Sequence, residues 1–150
     1  MPIRVVRLGT PRAPGEGVRL GTVRRPPRGV RKADYGRRDF FDVWLPELAP
    51  SAPVVSSALS EAWTPARWRQ FVRAYLREMR EPRARHLFAT LAALSHQTNF
   101  SVGCYCADET TCHRGLLRGL LLDAGAVVRT TAAPRKTAAR TKKKKLSRRR

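Results

Sequence analysis

The sequence predicts a small three-layer α/β protein, with a mostly parallel sheet and helices packed on it in a Rossmann-like arrangement. Residues 99–129 predict this fold most directly, because a strand, a Leu-rich helix and a second strand follow one another there and form a βαβ unit. Upstream, two segments have the apolar spacing of amphipathic helices. A chain of 150 residues with 42% hydrophobic residues suits one domain with a substantial core.

Strands predominate in the first third of the chain. Three segments rich in β-forming or aromatic residues predict strands, namely residues 2–8, 18–23 and 40–45. Glycine and proline interrupt the chain between them, over residues 9–17 and 24–39, so both connections are predicted as loops. Pro46 ends the third strand.

Two helices are predicted next. Thr64 suits a helix N-cap, and Pro65 suits the first helical turn. The apolar residues that follow recur every three or four positions, at Trp68, Phe71, Val72, Tyr75, Leu76 and Met79. Pro82 begins a second helix, whose apolar face comprises Leu87, Phe88, Leu91 and Leu94.

The βαβ unit completes the predicted domain. Residues 99–105 predict a buried strand, because they are mostly apolar or small. Residues 112–124 predict a Leu-rich helix, which Gly125 is well placed to end. Residues 126–129 predict a last short strand.

The segment CYCADETTCHR joins the strand to the helix of this unit. Cys104 and Cys106 lie at the end of the strand, whereas Cys112, His113 and Arg114 open the helix. Ligands of open α/β sheets bind beyond the carboxyl ends of the strands, and a helix N-terminus attracts anions. The segment is therefore the candidate site, in which the last arginine has bidentate geometry for phosphate or carboxylate.

Three interpretations of this segment are open. In the first, Cys112 is a catalytic thiolate whose pKa is lowered by the helix N-terminus, and His113 is its acid or base. Neighbouring residues of a helix point about 100° apart, which argues against direct contact between the two side chains.

In the second interpretation, four side chains bind zinc, namely Cys104, Cys106, Cys112 and His113. A structural Cys₃His site uses these ligand types, but the C-x-C spacing and the adjacent last two ligands depart from the usual knuckle. In the third, the cysteines only fill the core, since cysteine behaves as a small apolar residue. No cofactor is predicted, and zinc remains an open alternative.

Several sequence blocks make the chain similar to a known family. Residues 42–51 (DVWLPELAPS) are the most specific, residues 17–29 (GVRLGTVRRPPRG) supply two arginines, and a W-x-x-F-x-x-x-Y helix begins at Trp68. Together with Cys106 and the Cys-His-Arg run, these blocks resemble the domain-of-unknown-function 488 family. The resemblance covers most of the chain before the last 21 residues.

This resemblance implies a compact three-layer α/β fold, and the family has no assigned activity. It also implies that five residues converge on one pocket, namely Arg24, Arg28, Cys112, His113 and Arg114. The arginines of such a pocket would bind an anion. The cysteine and the histidine would act on it as nucleophile or redox thiol and as acid or base.

A strongly basic segment follows the predicted domain. The net charge is +20, from 31 lysines and arginines against 11 acidic residues. We expect a single domain over residues 1–129 and a disordered, low-complexity tail over residues 130–150. The tail ends in a basic run formed by Lys142, Lys143, Lys144, Lys145, Arg148, Arg149 and Arg150. Such cations bind DNA or RNA by displacing counterions.

The sequence also predicts a compartment. No apolar stretch approaches the roughly 20 residues that cross a bilayer, and the first residues do not have the pattern of a signal peptide. The three cysteines lie within nine residues, unlike the spread and even set of a secreted disulfide framework. We therefore expect a cytoplasmic protein without a membrane partner.

Two functions compete on this basis. In the first, a Cys-His-Arg pocket binds or transforms a phosphate-bearing or other anionic small molecule, and the tail associates with nucleic acid. In the second, the protein is a non-enzymatic nucleic-acid-binding module, whose cysteine-rich segment is structural or binds zinc.

Overall fold

The computed structural model describes residues 2–130 and contains a four-stranded sheet. Its strands are β1 (Ile3–Arg7), β2 (Val18–Gly21), β3 (Val43–Trp44) and β4 (Phe100–Cys104). All are parallel, in the order β1-β4-β2-β3. The predicted α/β class with a parallel sheet is confirmed. The predicted disordered tail lies outside the described residues.

Four α-helices accompany the sheet, namely α1 (Ala52–Leu59), α2 (Pro65–Glu78), α3 (Pro82–Ser95) and α4 (His113–Asp123). The predicted start of α2 is confirmed, because the Thr64 hydroxyl accepts a hydrogen bond of 3.2 Å from the Arg67 amide. Gly125, just after α4, has φ 88°, a left-handed conformation that glycine adopts without strain. None of the helices within residues 2–130 is long and apolar enough to cross a membrane.

β4 occupies the centre of the sheet. It pairs with β1 on one side and with β2 on the other, so that Val102 lies between Val5 and Leu20. All five residues of β4 are buried, as expected for a parallel strand that is covered on both faces. The residues that follow β1 and β2 therefore surround its carboxyl end.

Two predicted strands are reduced to two residues or fewer in the structure. The third is limited to β3, because the Phe40 amide donates to the Tyr35 carbonyl (2.9 Å) and closes a turn before the strand. The last, predicted over residues 126–129, is a single parallel bridge between Val128 and Ile3. This bridge nevertheless brings the chain back to the sheet beside β1, so α4 forms the crossover of the predicted βαβ unit.

The main core lies between the sheet and helices α2, α3 and α4. Tyr75 of α2 is fully buried, and its hydroxyl donates a hydrogen bond of 2.8 Å to the Leu48 carbonyl. The core is otherwise aliphatic or phenylalanine, with Ile3, Val5, Phe88, Leu91, Val102, Leu117 and Leu121 among its buried members. A smaller apolar cluster includes Cys104 and Cys112. Two of the three cysteines are therefore packed inside the fold.

Candidate functional site

The candidate site lies at the carboxyl edge of the sheet, where β2 and β4 end side by side and α4 begins. The Thr22 carbonyl, just after β2, lies 2.7 Å from Nε2 of His113 at the start of α4. A one-turn 3-10 helix, Glu109–Thr111, packs against the first turn of α4. A Cβ at Gly115 would lie 2.6 Å from the Glu109 carbonyl oxygen, so this close approach requires glycine.

Cys112 is the N-cap residue of α4. Its Sγ accepts a hydrogen bond of 3.5 Å from the Arg114 amide. Its backbone is extended, with φ −131° and ψ 148°, so the 100° rule for neighbouring helical residues does not apply to it. Its Sγ lies 3.9 Å from Nδ1 of His113. The expected divergence of these two side chains is therefore wrong, and they are in contact.

Three thiols meet at this edge. The Sγ atoms of Cys104, Cys106 and Cys112 lie within 4.8 Å of one another, and those of Cys104 and Cys106 are 3.7 Å apart. Cys104 and Cys112 are buried, whereas Cys106 is exposed. The cluster has ligand atoms that a metal ion could use.

The three thiols differ in acidity. Hydrogen bonds from the Cys104 and Cys112 thiols lower the pKa of Cys106 to about 2. The hydrogen bond to Cys106 raises the pKa of Cys104 to about 11. The pKa of Cys112 is raised by its hydrogen bonds to the same two sulfurs and by burial. The pKa is thus lowered at Cys106 and raised at Cys112, the residue that the sequence suggested as the thiolate.

His113 has a defined tautomer. Its ring is buried, and burial lowers its pKa, so the imidazole is neutral. The Thr22 carbonyl can only accept, so Nε2 carries the proton and Nδ1 presents its lone pair toward Cys112. The ring also packs edge-on against Tyr75, with centroids 5.5 Å apart. His113 is thus fixed as an acceptor or ligand on the cysteine side.

Arg114 is a buried cation for which the described part of the chain supplies no carboxylate partner. It is 5% exposed, and within residues 2–130 no carboxylate oxygen lies within 4.0 Å of its guanidinium. Its Nη2 donates to the Ala107 carbonyl (3.3 Å), while its Nε is buried without a hydrogen-bond partner. Its charge contributes to the lowered pKa of Cys106, after the hydrogen bonds from the other two thiols. A buried charge of this kind requires an anion nearby.

The two arginines predicted from residues 17–29 have different positions. Arg24 is half-buried, with Nε donating to the Pro50 carbonyl (2.9 Å) and Nη2 to the Pro46 carbonyl (2.9 Å). Arg24 therefore fastens the segment that leads into α1. Arg28 is exposed.

A groove of about 840 Å³ passes over the cluster. The cysteine segment and His113 line one part of it, and α1 lines another. Its lining includes Arg24, Arg28, Cys106, Cys112 and His113, but not Arg114, which lies buried behind residues 106–109. Four of the five residues expected to converge therefore line one groove.

Some lining residues were not predicted. Arg25 is a third arginine in the lining of the groove, beside Arg24 and Arg28. Trp63 and Phe71 add aromatic side chains to the lining, together with residues of α1. α1 itself was not predicted, although Pro53 in its first turn is typical of a helix start. None of its residues is fully buried, so no strong apolar stripe marks it in the sequence.

A family model described as the active DUF488-N3 subclade matches residues 3–125. The chain belongs to the DUF488-N3 subclade. The resemblance inferred from the DVWLPELAPS and Cys-His-Arg blocks is thereby confirmed, and the match includes every residue of the cluster. No curated protein and no solved structure matches the chain. Family membership assigns no activity to the chain, and residues 131–150 of the basic tail lie beyond both the matched and the described residues.

Proposed function

We propose that this DUF488-N3 protein is an enzyme whose groove binds a phosphate-bearing or other anionic small molecule, on which Cys106 acts as a nucleophile. The position of Cys106 carries the proposal. Cys106 is an exposed residue that lines the groove, and the buried Cys104 thiol donates to its sulfur over 3.7 Å. An accessible sulfur that accepts hydrogen bonds from its neighbours has the character of a thiolate. The description of the matching subclade as active agrees with an enzyme.

The charges of the groove support an anionic ligand. Arg25 and Arg28 are exposed on its rim, and within the described residues neither is in an ion pair. Glu61 also lines the groove, but it already pairs with Arg67 at 2.6 Å. The rim thus offers guanidinium groups that are free to bind phosphate in bidentate fashion. Arg24 supports this binding indirectly, because its hydrogen bonds to the Pro46 and Pro50 carbonyls fix the segment that leads into α1, which lines the groove.

The other polar residues of the cluster support the nucleophile. Of the pair that the sequence suggested as catalytic, Cys112 places a thiol beside Cys106, and His113 places a neutral imidazole beside Cys112. Arg114 stabilises the thiolate from behind. In the proposed step, the Cys106 sulfur bonds to an electrophilic carbon or phosphorus while the leaving group departs with its electron pair and takes a proton from water. Hydrolysis of the adduct then restores the thiolate.

Thiol alkylation of the full chain tests this proposal. With iodoacetamide at pH 5.5, we expect Cys106 to be labelled at least about tenfold faster than Cys104 or Cys112, as mapped by peptide mass spectrometry. Inorganic pyrophosphate should slow that labelling by occupying the rim. Arg28→Gln should abolish the protection without changing the basal rate. Arg31→Gln is the matched control, since Arg31 pairs with Asp34 instead of lining the groove.

Two outcomes would contradict the proposal. If Cys112 is labelled first, or if none of the three thiols reacts, Cys106 is not the nucleophile. If labelling is fast but pyrophosphate gives no protection even at saturating concentration, the groove does not take anions of this kind. The first outcome refutes the catalytic role, and the second refutes the ligand class.

A zinc site is a second candidate function for the same cluster. In a tetrahedral site with Zn–S bonds of about 2.3 Å, sulfurs lie about 3.8 Å apart. The Cys104 and Cys106 sulfurs are 3.7 Å apart. The hydrogen bond of His113 to the Thr22 carbonyl is typical of a zinc-bound histidine, and its Nδ1 lies 3.9 Å from the Cys112 sulfur. His113 does not, however, belong to the group of ligand atoms that lie within 4.8 Å of one another, so it would have to move toward the three sulfurs to be the fourth ligand.

Zinc content separates the two candidates. We would measure it by elemental mass spectrometry on the untagged full chain. About one zinc per chain, lost on Cys112→Ser and accompanied by unreactive thiols, would favour the metal centre. A zinc-free protein with a fast-reacting Cys106 would favour the nucleophile.

We also propose that residues 130–150 bind DNA or RNA through charge, and that residues 1–129 form the single domain to which they are attached. Clustered lysines and arginines release counterions from phosphates. Deleting residues 130–150 should weaken DNA binding and flatten its salt dependence, and unchanged binding would contradict the proposal. The three free thiols fit a reducing compartment, from which we infer a cytoplasmic location.

A further inference from the structure

The outer face of α2 carries a row of arginines that the groove does not use. Arg69, Arg73 and Arg77 are spaced four residues apart, and all three are exposed. We call these three residues the arginine row. At 100° per residue they fall within about 80° of arc, on the side of the helix away from Phe71 and Tyr75, which face the core cluster. The side chains therefore project from a single strip of surface.

Acidic residues do not neutralise this row. Within residues 2–130, no carboxylate oxygen lies within 4.0 Å of Arg69, Arg73 or Arg77. Glu78 is the one acidic residue of α2, and its carboxylate accepts hydrogen bonds from the amide and hydroxyl of Ser51. Arg67 on the same helix is different, because it pairs with Glu61 at 2.6 Å. Among the residues that the structure describes, the row thus presents three cations without an acidic partner.

We propose that the arginine row binds the phosphate backbone of duplex DNA. A helix rises 1.5 Å per residue, so the row is about 12 Å long, with about 6 Å between successive arginines. Each strand of a duplex has one phosphate per about 3.4 Å of axis, so three guanidinium groups can each reach a phosphate. Arginine is suited to this contact because it bonds phosphate through two N–H groups.

The composition of the face favours duplex DNA over other polyanions. The exposed residues of α2 include no aromatic side chain, whereas proteins that hold single strands stack bases on aromatic rings. The face also lacks the apolar residues that an amphipathic helix inserts into a membrane. Backbone contact with a double helix requires neither. This surface is separate from the groove and adds to the proposed binding by residues 130–150.

Salt-dependent DNA binding by the full chain tests the proposal. We would compare the wild type with the triple variant R69Q/R73Q/R77Q, using fluorescence anisotropy of a 20-base-pair duplex between 50 and 200 mM salt. Each lost phosphate contact flattens the slope of log K against log salt by about 0.9, so the triple variant should be flatter by about 2.7. At 100 mM salt we expect at least about tenfold weaker binding.

A second triple variant, R31Q/R37Q/R38Q, is the matched control. It removes the same charge from another surface, where Arg31 and Arg37 pair with Asp34 and Arg38 lies over the Phe40 ring. We expect its slope to change by less than half as much. Iodoacetamide labelling of Cys106 should be the same in all three proteins, which keeps this test independent of the groove.

Three outcomes would overturn the proposal. Equal losses in the two triple variants would mean that only net charge matters. An unchanged slope in R69Q/R73Q/R77Q would mean that the row does not touch phosphate. A duplex affinity that the row does not affect, together with row-dependent binding to vesicles of phosphatidylserine or to single-stranded DNA, would assign the surface to another partner.

Discussion

Two buried polar clusters at opposite ends of the same strands differ in how completely their groups are paired. The first lies around Arg19 of β2, which is 1% exposed and lies opposite Ser101 in the sheet. Its Nε and Nη2 donate to the Glu16 carboxylate at 2.7 and 3.0 Å, and its Nη1 donates to the Thr10 and Asp39 carbonyls. Every nitrogen of this guanidinium has a partner.

The second cluster lies at the carboxyl end of β4, around Arg114 and the three cysteines. Arg114 is nearly as buried, but its Nε has no partner, and within residues 2–130 its guanidinium contacts no carboxylate. A closed network of the first kind fixes a fold, whereas an open one leaves a charge for something else to balance. The two arginines are similarly buried and differ only in pairing, so pairing is the property by which the following experiments compare them.

The largest expected effect is in the closed cluster. Arg19→Met removes one partner of a buried ion pair and leaves the Glu16 carboxylate uncompensated. We expect the free energy of unfolding to fall by about 3 to 5 kcal/mol, as measured by urea denaturation. Replacing both residues, as in R19M/E16L, should recover part of that loss. A change under about 1 kcal/mol in Arg19→Met would show that this network does not hold the fold.

Acid should weaken the same cluster. Burial opposes ionisation of Glu16, but hydrogen bonds from Arg19, Ser101 and the Ala13 amide outweigh it and lower its pKa from 4.5 to about 2. The unfolded chain therefore takes up this proton first as the pH falls. The stabilisation by Glu16 is complete above about pH 4.5 and disappears as the pH approaches 2, a loss of about 3 kcal/mol.

Urea denaturation between pH 6 and pH 2 measures this loss. Glu16→Gln has no carboxylate at this position, so its stability should depend less on pH by the same amount. If the two proteins lose stability in parallel as the pH falls, the carboxylate of Glu16 is not the group that titrates.

Sequence patterns predicted the elements whose burial is regular. The apolar stripe of α2 and the continuous buried run of β4 are each determined by local periodicity. α1 was missed because it has eight residues and none is fully buried. The third strand was predicted too long because tertiary contacts determine where it begins. The Asp42 carboxylate, just before β3, accepts hydrogen bonds from the Arg19 amide and from the Arg12 guanidinium.

The site was predicted in place but not in detail. The order of strand, cysteines and helix was enough to bring Cys104, Cys106 and Cys112 together at one edge. It did not reveal that Cys106 is the exposed cysteine, because burial depends on tertiary packing, and it did not reveal the extended backbone that brings Cys112 into contact with His113. The sequence likewise did not predict the pairing of Glu16 with Arg19, since a spacing of three residues does not show that both side chains are buried and turned toward each other.

Arg114→Met tests the open cluster and should affect reactivity more than stability. The substitution removes a buried charge that has no carboxylate partner and leaves a side chain of similar length. We expect the free energy of unfolding to stay within about 1 kcal/mol of the wild type or to rise. Iodoacetamide labelling of Cys106 should slow by about tenfold, because the thiolate loses its buried cation.

Arg118→Met is the matched control on the same helix. Arg118 is fully engaged, with Nε and Nη2 bound to the Glu109 carboxylate at 2.7 and 3.2 Å and Nη1 bound to the Arg129 carbonyl. Its loss should lower stability modestly and leave Cys106 reactive, the reverse of the Arg114 result. If Arg114→Met instead unfolds the domain and Arg118→Met slows the labelling, then incomplete pairing of a buried arginine does not predict an effect on the reactivity of Cys106. The nucleophile would then owe its charge to the neighbouring thiols alone.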